Sequence, residues 1–148
     1  MANTNVLKEI EQYVREWCSR RYNIELEDHE KEVLLLTGGF HRFDIVSKDG
    51  LMVAGIKTSA LRKNGKVSAG VIKSTFTELY FLNLVKATTK LMILTDKNYC
   101  DYFQRISKGK IANGIKIMHC PLPQEVQEKV DVVHSNCRKE IGKKETPI

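Results

Sequence analysis

Two residues of opposite charge, Asp44 and Lys57, stand in the segment FDIVSKDGLMVAGIKTS at positions 43 to 59. Asp49-Gly50 at its centre favours a type I′ turn closing a two-residue hairpin. That turn places Asp44 opposite Gly55 and Arg42 opposite Lys57. Side chains alternate along a strand, so Asp44, Gly55 and Lys57 share one face while Phe43, Ile45, Met52, Ala54 and Ile56 share the other. A carboxylate that can hold Mg2+ or Mn2+, beside an ammonium that can stabilise charge developing on a phosphate, is the equipment of metal-assisted phosphodiester cleavage. The same two residues also make an ordinary solvated surface pair. Gly55 weighs on the choice, because it supplies neither ligand nor proton acceptor where a second carboxylate would be useful. A cation held by one protein carboxylate binds weakly. Between Lys57 and Asp96 the single acidic residue is Glu78, and nothing in the sequence fixes its direction; the simpler reading leaves it on a helix surface.

The elements that must position these residues follow from apolar spacing. Val6, Ile10, Tyr13, Val14 and Trp17 form one stripe, predicting an amphipathic helix from about Thr4 to Arg21. Val33 to Thr37 reads as a strand ending at Gly38-Gly39, and Phe43 to Lys48 and Leu51 to Thr58 make the two arms of the hairpin. The stretch from Val71 to Val85 is apolar on most sides and predicts a buried helix. Leu91 to Thr95 is the next strand, with Asp96 placed to cap a helix carrying Tyr99, Phe103 and Ile106. Ile115, Ile117 and His119 alternate along a further strand, stopped by Pro121 and Pro123. Val126, Val130, Val133, Cys137 and Ile141 mark a last helix. The order α-β-β-β-α-β-α-β-α implies an α/β fold, a three-layer sandwich around a central mixed β-sheet. One domain over 1–141 is expected, with a flexible tail over 142–148.

The chain has 148 residues and a formal charge of +6, from 24 Lys and Arg against 18 Asp and Glu. Its basic residues are unevenly placed. No acid occurs between Thr58 and Thr77, where Arg62, Lys63, Lys66 and Lys73 all fall. Clustered cations attract phosphates and release counterions from nucleic acid, so this stretch is the candidate backbone contact, with Gly65 suggesting a loop that orders on a duplex. Arg42, opposite Lys57, is a further candidate clamp, whereas His41 falls on the other face and reads as packing. Cys18, Cys100, Cys120 and Cys137 have no paired spacing and read as reduced, packed thiols; His119, Cys120, His134 and Cys137 match no compact zinc module. The start MANTNVLKEIEQ carries no apolar leader and no run approaches the roughly 20 apolar residues of a membrane span. A cytoplasmic protein without membrane contact is expected.

A first helix, three strands with F-D on the second and I-K-T-S on the third, then a helix and a strand, resembles the PD-(D/E)XK superfamily of restriction-endonuclease-like nucleases over positions from about 4 to about 95. The resemblance implies a restriction-endonuclease-like sheet and a Mg2+- or Mn2+-dependent hydrolase, an endonuclease cutting DNA. It would make Asp44 the metal-binding aspartate and Lys57 the catalytic lysine, with an acid two residues before that lysine, where this chain has Gly55. Members of the superfamily also draw an acid from the helix after the hairpin, for which Glu78 is available, or from the first helix, where Glu9 borders the apolar stripe more closely than Glu16, with Glu11 the third candidate. Gly55 leads us to expect an impaired activity; the alternative is a non-catalytic nucleic-acid-binding or assembly module on the same fold. Symmetric cutting of two strands would fit a homo-oligomer. If the basic stretch meets phosphates, replacing Lys63 and Lys66 with Ala weakens DNA binding and lowers the slope of log affinity against log salt by up to about two units. Titrations at several salt concentrations measure that slope, and an unaltered one places the contact elsewhere.

Overall fold

The computed structural model describes residues 2–145, and the side chains of residues 5–135. Helix α1 (Ala2–Tyr22) is followed by short strands β1 (Lys31–Leu34) and β2 (Phe40–Phe43), then β3 (Ile45–Val46), β4 (Met52–Lys57), helix α2 (Ala69–Asn83), β5 (Thr89–Leu94), α3 (Lys97–Ile106), β6 (Ile115–His119) and α4 (Gln124–Glu145). The main sheet has the order β3-β4-β5-β6, antiparallel at β3-β4 and parallel from β4 to β6. The chain is thus an α/β protein with a mixed four-stranded sheet, and β1 with β2 forms a separate two-stranded sheet. Last-helix residues Cys137 and Ile141 have side chains outside the described ones, as do positions 146–148 of the expected tail.

Helices cover both faces of the main sheet because its strands are apolar on both sides. Ile45, Ala54, Ile56, Leu91 and Ile93 pack against Ile10 and Val14 of α1 and Val126 and Val130 of α4. On the other face Val46, Val53, Met92 and Leu94 pack against Leu79 and Leu82 of α2 and Tyr99 and Phe103 of α3. Burial of such side chains stabilises the fold by about 1.5–3 kcal/mol each before entropy is subtracted. Two caps fix the entry of the second layer: Ser68 accepts from Val71 N–H at the start of α2, and Asp96 accepts from Tyr99 N–H at the start of α3. Val85, expected at the end of α2, instead pairs with Leu35 in an isolated bridge.

The hairpin register is as expected, with Ile45 facing Ala54 and Val46 facing Val53. Its turn is different. A type I′ turn needs positive φ at both central residues, yet among the described residues the only non-glycine with positive φ is Asn23, so at this turn only Gly50 (φ +75°) is left-handed. The Asp49 carboxylate accepts from Ser47 Oγ at 2.6 Å and from Leu51 N–H at 3.0 Å, and Gly50 N–H donates to the Ser47 carbonyl at 2.9 Å. Ser47 still meets Met52 through a 2.9 Å backbone bond, so the longer turn leaves the register untouched.

The expected continuous strand from Phe43 to Lys48 is broken at Asp44. Before the break, β2 pairs with β1, Arg42 lying beside Glu32 and His41 beside Val33. After it, β3 joins the main sheet. The break carries Phe43 to the α2 side of the sheet while Ile45 stays on the α1 side, which corrects the placement of Phe43 with Ile45, Met52, Ala54 and Ile56. Reduced cysteines behave as expected where described: Cys18, Cys100 and Cys120 are free and buried. Burial pushes the Cys18 thiol up to about 11 and that of Cys120 up to about 12, which suits packing and not reactivity. Among the described residues no helix is long and apolar enough to cross a membrane.

The layer that carries α2 is tied to α3 by one buried polar contact, the hydroxyls of Thr75 and Tyr99 at 2.7 Å. Thr75 Oγ1 already donates to the Val71 carbonyl at 3.0 Å, so the Tyr99 hydroxyl is the donor between the two. Replacing Tyr99 with Phe keeps the ring and removes that donor, and chemical denaturation is expected to register a loss of about 1 kcal/mol.

Candidate catalytic site

Asp44 occupies the break between β2 and β3, and two contacts hold it there. Its Oδ2 accepts from the Ile56 N–H at 2.8 Å, and its backbone carbonyl accepts from the Arg15 guanidinium at 3.1 Å. Arg15 is itself only 8% exposed, so α1 reaches the hairpin through a buried cation. On β4, Lys57 closes the strand and its Nζ donates to Ser74 Oγ of α2 at 2.8 Å. That bond turns the flexible lysine head toward α2.

Gly55 faces α2, and the space above it is filled. A β-carbon built on Gly55 would stand 2.6 Å from Glu78 Cγ and 3.1 Å from Glu78 Oε1. Glu78 therefore lies against the strand at the very position where a side chain two residues before Lys57 would project. Its other oxygen, Oε2, is 3.3 Å from His41 Nε2, and its side chain is only 14% exposed. The helix-surface reading of Glu78 is overturned: three residues past Thr75, which meets Tyr99 in the core, and one before the buried Leu79, it lies on the inner side of α2. The placement of His41 on the far face is corrected as well, although it does pack, its ring stacked on Phe81 at 3.9 Å. The break at Asp44 explains this, because β2 no longer continues the alternation of β3.

Electrostatics join these groups into one site. Burial first, then the nearby Asp44 charge, push the Glu78 carboxyl above its usual range, against the opposing effects of His41 and Lys57. Burial likewise raises Asp44, opposed by the Ile56 N–H and by Lys57. Glu11 on α1 is raised by burial and then by Asp44, with Arg15 opposing, which makes it the acid of the first helix nearest the site. Glu9, closer to the apolar stripe in sequence, instead forms an ion pair with Lys129 of α4 at 3.2 Å, and Glu16 accepts from Gln12. A cleft of about 400 Å3 opens at the Lys57 end of the site, lined by Glu11, Lys57, Ser59, Ser68 and Ser74 among others but by neither Asp44 nor Glu78.

Searches of protein-family models, of curated proteins and of solved structures return no match to this chain.

Among the described residues no three His, Cys, Asp or Glu side chains converge into a closed metal cage. Mg2+ does not require one: it keeps several waters and is commonly held by one or two carboxylates together with substrate phosphate. Asp44 and Glu78, two partly buried carboxylates of which the first raises the pKa of the second, suit that mode of binding, since a divalent charge offsets the repulsion that favours protonation of Glu78.

The expected nucleic-acid contacts divide. Arg42 is 60% exposed and paired with Glu30 at 3.4 Å and Glu32 at 3.9 Å, so it does not face Lys57; the separate β1-β2 sheet has carried it away. Arg62, Lys63, Lys66 and Lys73 are exposed, and among the described residues none is drawn into an ion pair. The loop that carries the first three is a closed turn, with Arg62 N–H donating to the Lys66 carbonyl and Gly65 N–H to the Arg62 carbonyl, both at 2.8 Å. Sequence reading missed the contributions of His41, Arg15 and Ser74; the only available signal for Ser74 was its spacing one helical turn before Glu78.

A carboxyl whose pKa is raised by folding gives stability that is full below its unfolded pKa and is lost as the pH climbs through the folded value. Asp44→Asn keeps an oxygen to accept the Ile56 N–H and removes the buried charge. Its melting temperature is expected to exceed the parent's by a few degrees at neutral pH, with the gap closing toward about pH 4. A gap that is constant across that range would mean that the Asp44 charge is not the destabilising element.

Proposed function

We propose that the chain is a Mg2+- or Mn2+-dependent endonuclease domain of the PD-(D/E)XK kind that hydrolyses DNA phosphodiester bonds, with its second acid supplied by α2. The reading is carried by one observation, the Glu78 side chain in the space that a residue at position 55 would otherwise fill. Gly55 on this view is not a lost ligand. It is the clearance that lets an acid from the helix reach the place where the strand would have offered one, so Gly55 by itself carries no loss of activity.

In this reading Asp44 and Glu78 hold the cation, which when bound supplies Lewis-acid polarisation of the phosphate and a more acidic water. Lys57, anchored by Ser74, presents its ammonium to the phosphate oxygen that gains charge. Arg15 holds the Asp44 backbone and keeps that carboxylate from following the strand outward. The exposed cations Arg62, Lys63, Lys66 and Lys73 contact backbone phosphates, fixing the duplex without reading its sequence.

One observation favours a second reading, a nucleic-acid-binding module without catalysis: Asp44 Oδ2 and Lys57 Nζ both already have partners within the protein. Relocating the acid separates the two. Nicking of supercoiled plasmid in Mg2+ or Mn2+ is expected for the parent, and Glu78→Ala is expected to lower it by about two orders of magnitude. Adding Gly55→Glu to Glu78→Ala returns the acid from the strand and restores part of the activity, because the space is then free. Gly55→Glu alone is expected to be worse than the parent, since its side chain meets Glu78. A Glu78→Ala protein that nicks like the parent removes Glu78 from the mechanism, and a parent that binds plasmid without nicking it leaves only the binding module.

A further inference from the structure

A glutamate on a helix reaches its target through three rotatable bonds, and something must select one arrangement among them. Around Glu78 that something is His41. The imidazole lies flat on Phe81, the planes 7° from parallel at a centroid separation of 3.9 Å, and the Phe43 ring meets it edge-on at 4.7 Å. Two aromatic contacts therefore fix the ring before any hydrogen bond is counted. In that orientation Nε2 stands 3.3 Å from Glu78 Oε2. An ionised carboxylate has only acceptors, so wherever Glu78 is charged it is Nε2 that donates. The remaining oxygen, Oε1, is the one turned toward Gly55, 3.1 Å from where a β-carbon there would stand.

We propose that His41 is a positioning residue for this site: held by Phe81 and Phe43, it grips Oε2 of Glu78 and so leaves Oε1 facing the hairpin, free to take a divalent cation. The hold on Glu78 stands on the contacts alone; what Oε1 then binds rests on the nuclease reading. Ligating carboxylates are commonly fixed by such an outer hydrogen bond, and loss of the outer partner typically costs about 10- to 100-fold in metal affinity. A packing role alone makes a different claim, because a phenyl ring would stack on Phe81 equally well.

The test separates ring from hydrogen bond. Mn2+ binding to metal-free parent, His41→Phe and His41→Gln is followed by the electron paramagnetic resonance of free Mn2+, and the 15N signals of the His41 ring are recorded without metal in the parent and in Glu78→Ala. His41→Phe keeps the stack and is expected to bind Mn2+ about 10- to 100-fold more weakly. His41→Gln, which returns an N–H near the same place, is expected to recover most of that loss. The parent ring is expected to carry its proton on Nε2, and Glu78→Ala to let the proton redistribute to Nδ1. Parent-like Mn2+ affinity in His41→Phe overturns the positioning role, as does a parent ring protonated on Nδ1 alone. A parent that binds no Mn2+ defeats the nuclease reading instead, and the ring spectrum then decides the hold on Glu78 by itself.

Discussion

The hydrogen bond from Ile56 N–H to the Asp44 carboxylate is the constraint on which the rest of the site depends. A strand residue that accepts a neighbouring strand's N–H through its side chain, and gives its own carbonyl to an arginine, has stepped out of the regular ladder. The chain bends there. From the bend follow the separate β1-β2 sheet, the passage of Phe43 to the α2 side and the arrival of His41 beside Glu78. The bend is costly to hold, since it sets a carboxylate in a partly buried place that raises its pKa. Arg15, Lys57 and the Ile56 amide all oppose that cost.

Much of the frame was legible in the sequence because period and composition agree there. The stripe of Val6, Ile10 and Val14, the capping aspartate before Tyr99 and the alternating Met52, Ala54 and Ile56 each have one sensible reading, and the structure has those elements in that order, with one extra strand where the first arm of the hairpin is split. The hairpin register was also legible, although the turn chemistry behind it was not: Asp49-Gly50 suggested two left-handed residues, whereas the Asp49 side chain makes a local turn with Ser47 and Leu51. Different turns of compatible length can preserve one register.

What could not be read was everything that depends on the break. Alternation is a rule about continuous strands, and it misplaced Phe43, His41 and Arg42 because nothing in Phe43-Asp44-Ile45 announces a bend. The direction of Glu78 was hidden for a related reason. A helix apolar on most sides has no clear outer face, so an acid within it gains a direction only from what it packs against. Gly55 carried the clue in a form that reads two ways, as an absent carboxylate or as an open space, and only the position of Glu78 distinguishes them.

The two carboxylates of the site come from elements that meet only in the finished fold. Asp44 belongs to the hairpin and is set by local bonds, while Glu78 arrives with α2, whose seat depends on Leu79, Leu82 and the Thr75-Tyr99 contact. A compact state that kept its helices and its hairpin but lost their mutual packing would retain each acid and lose the pair. The site is thus a reporter of tertiary order: no fragment ending before α2 contains it, and it comes into being only when the helix docks.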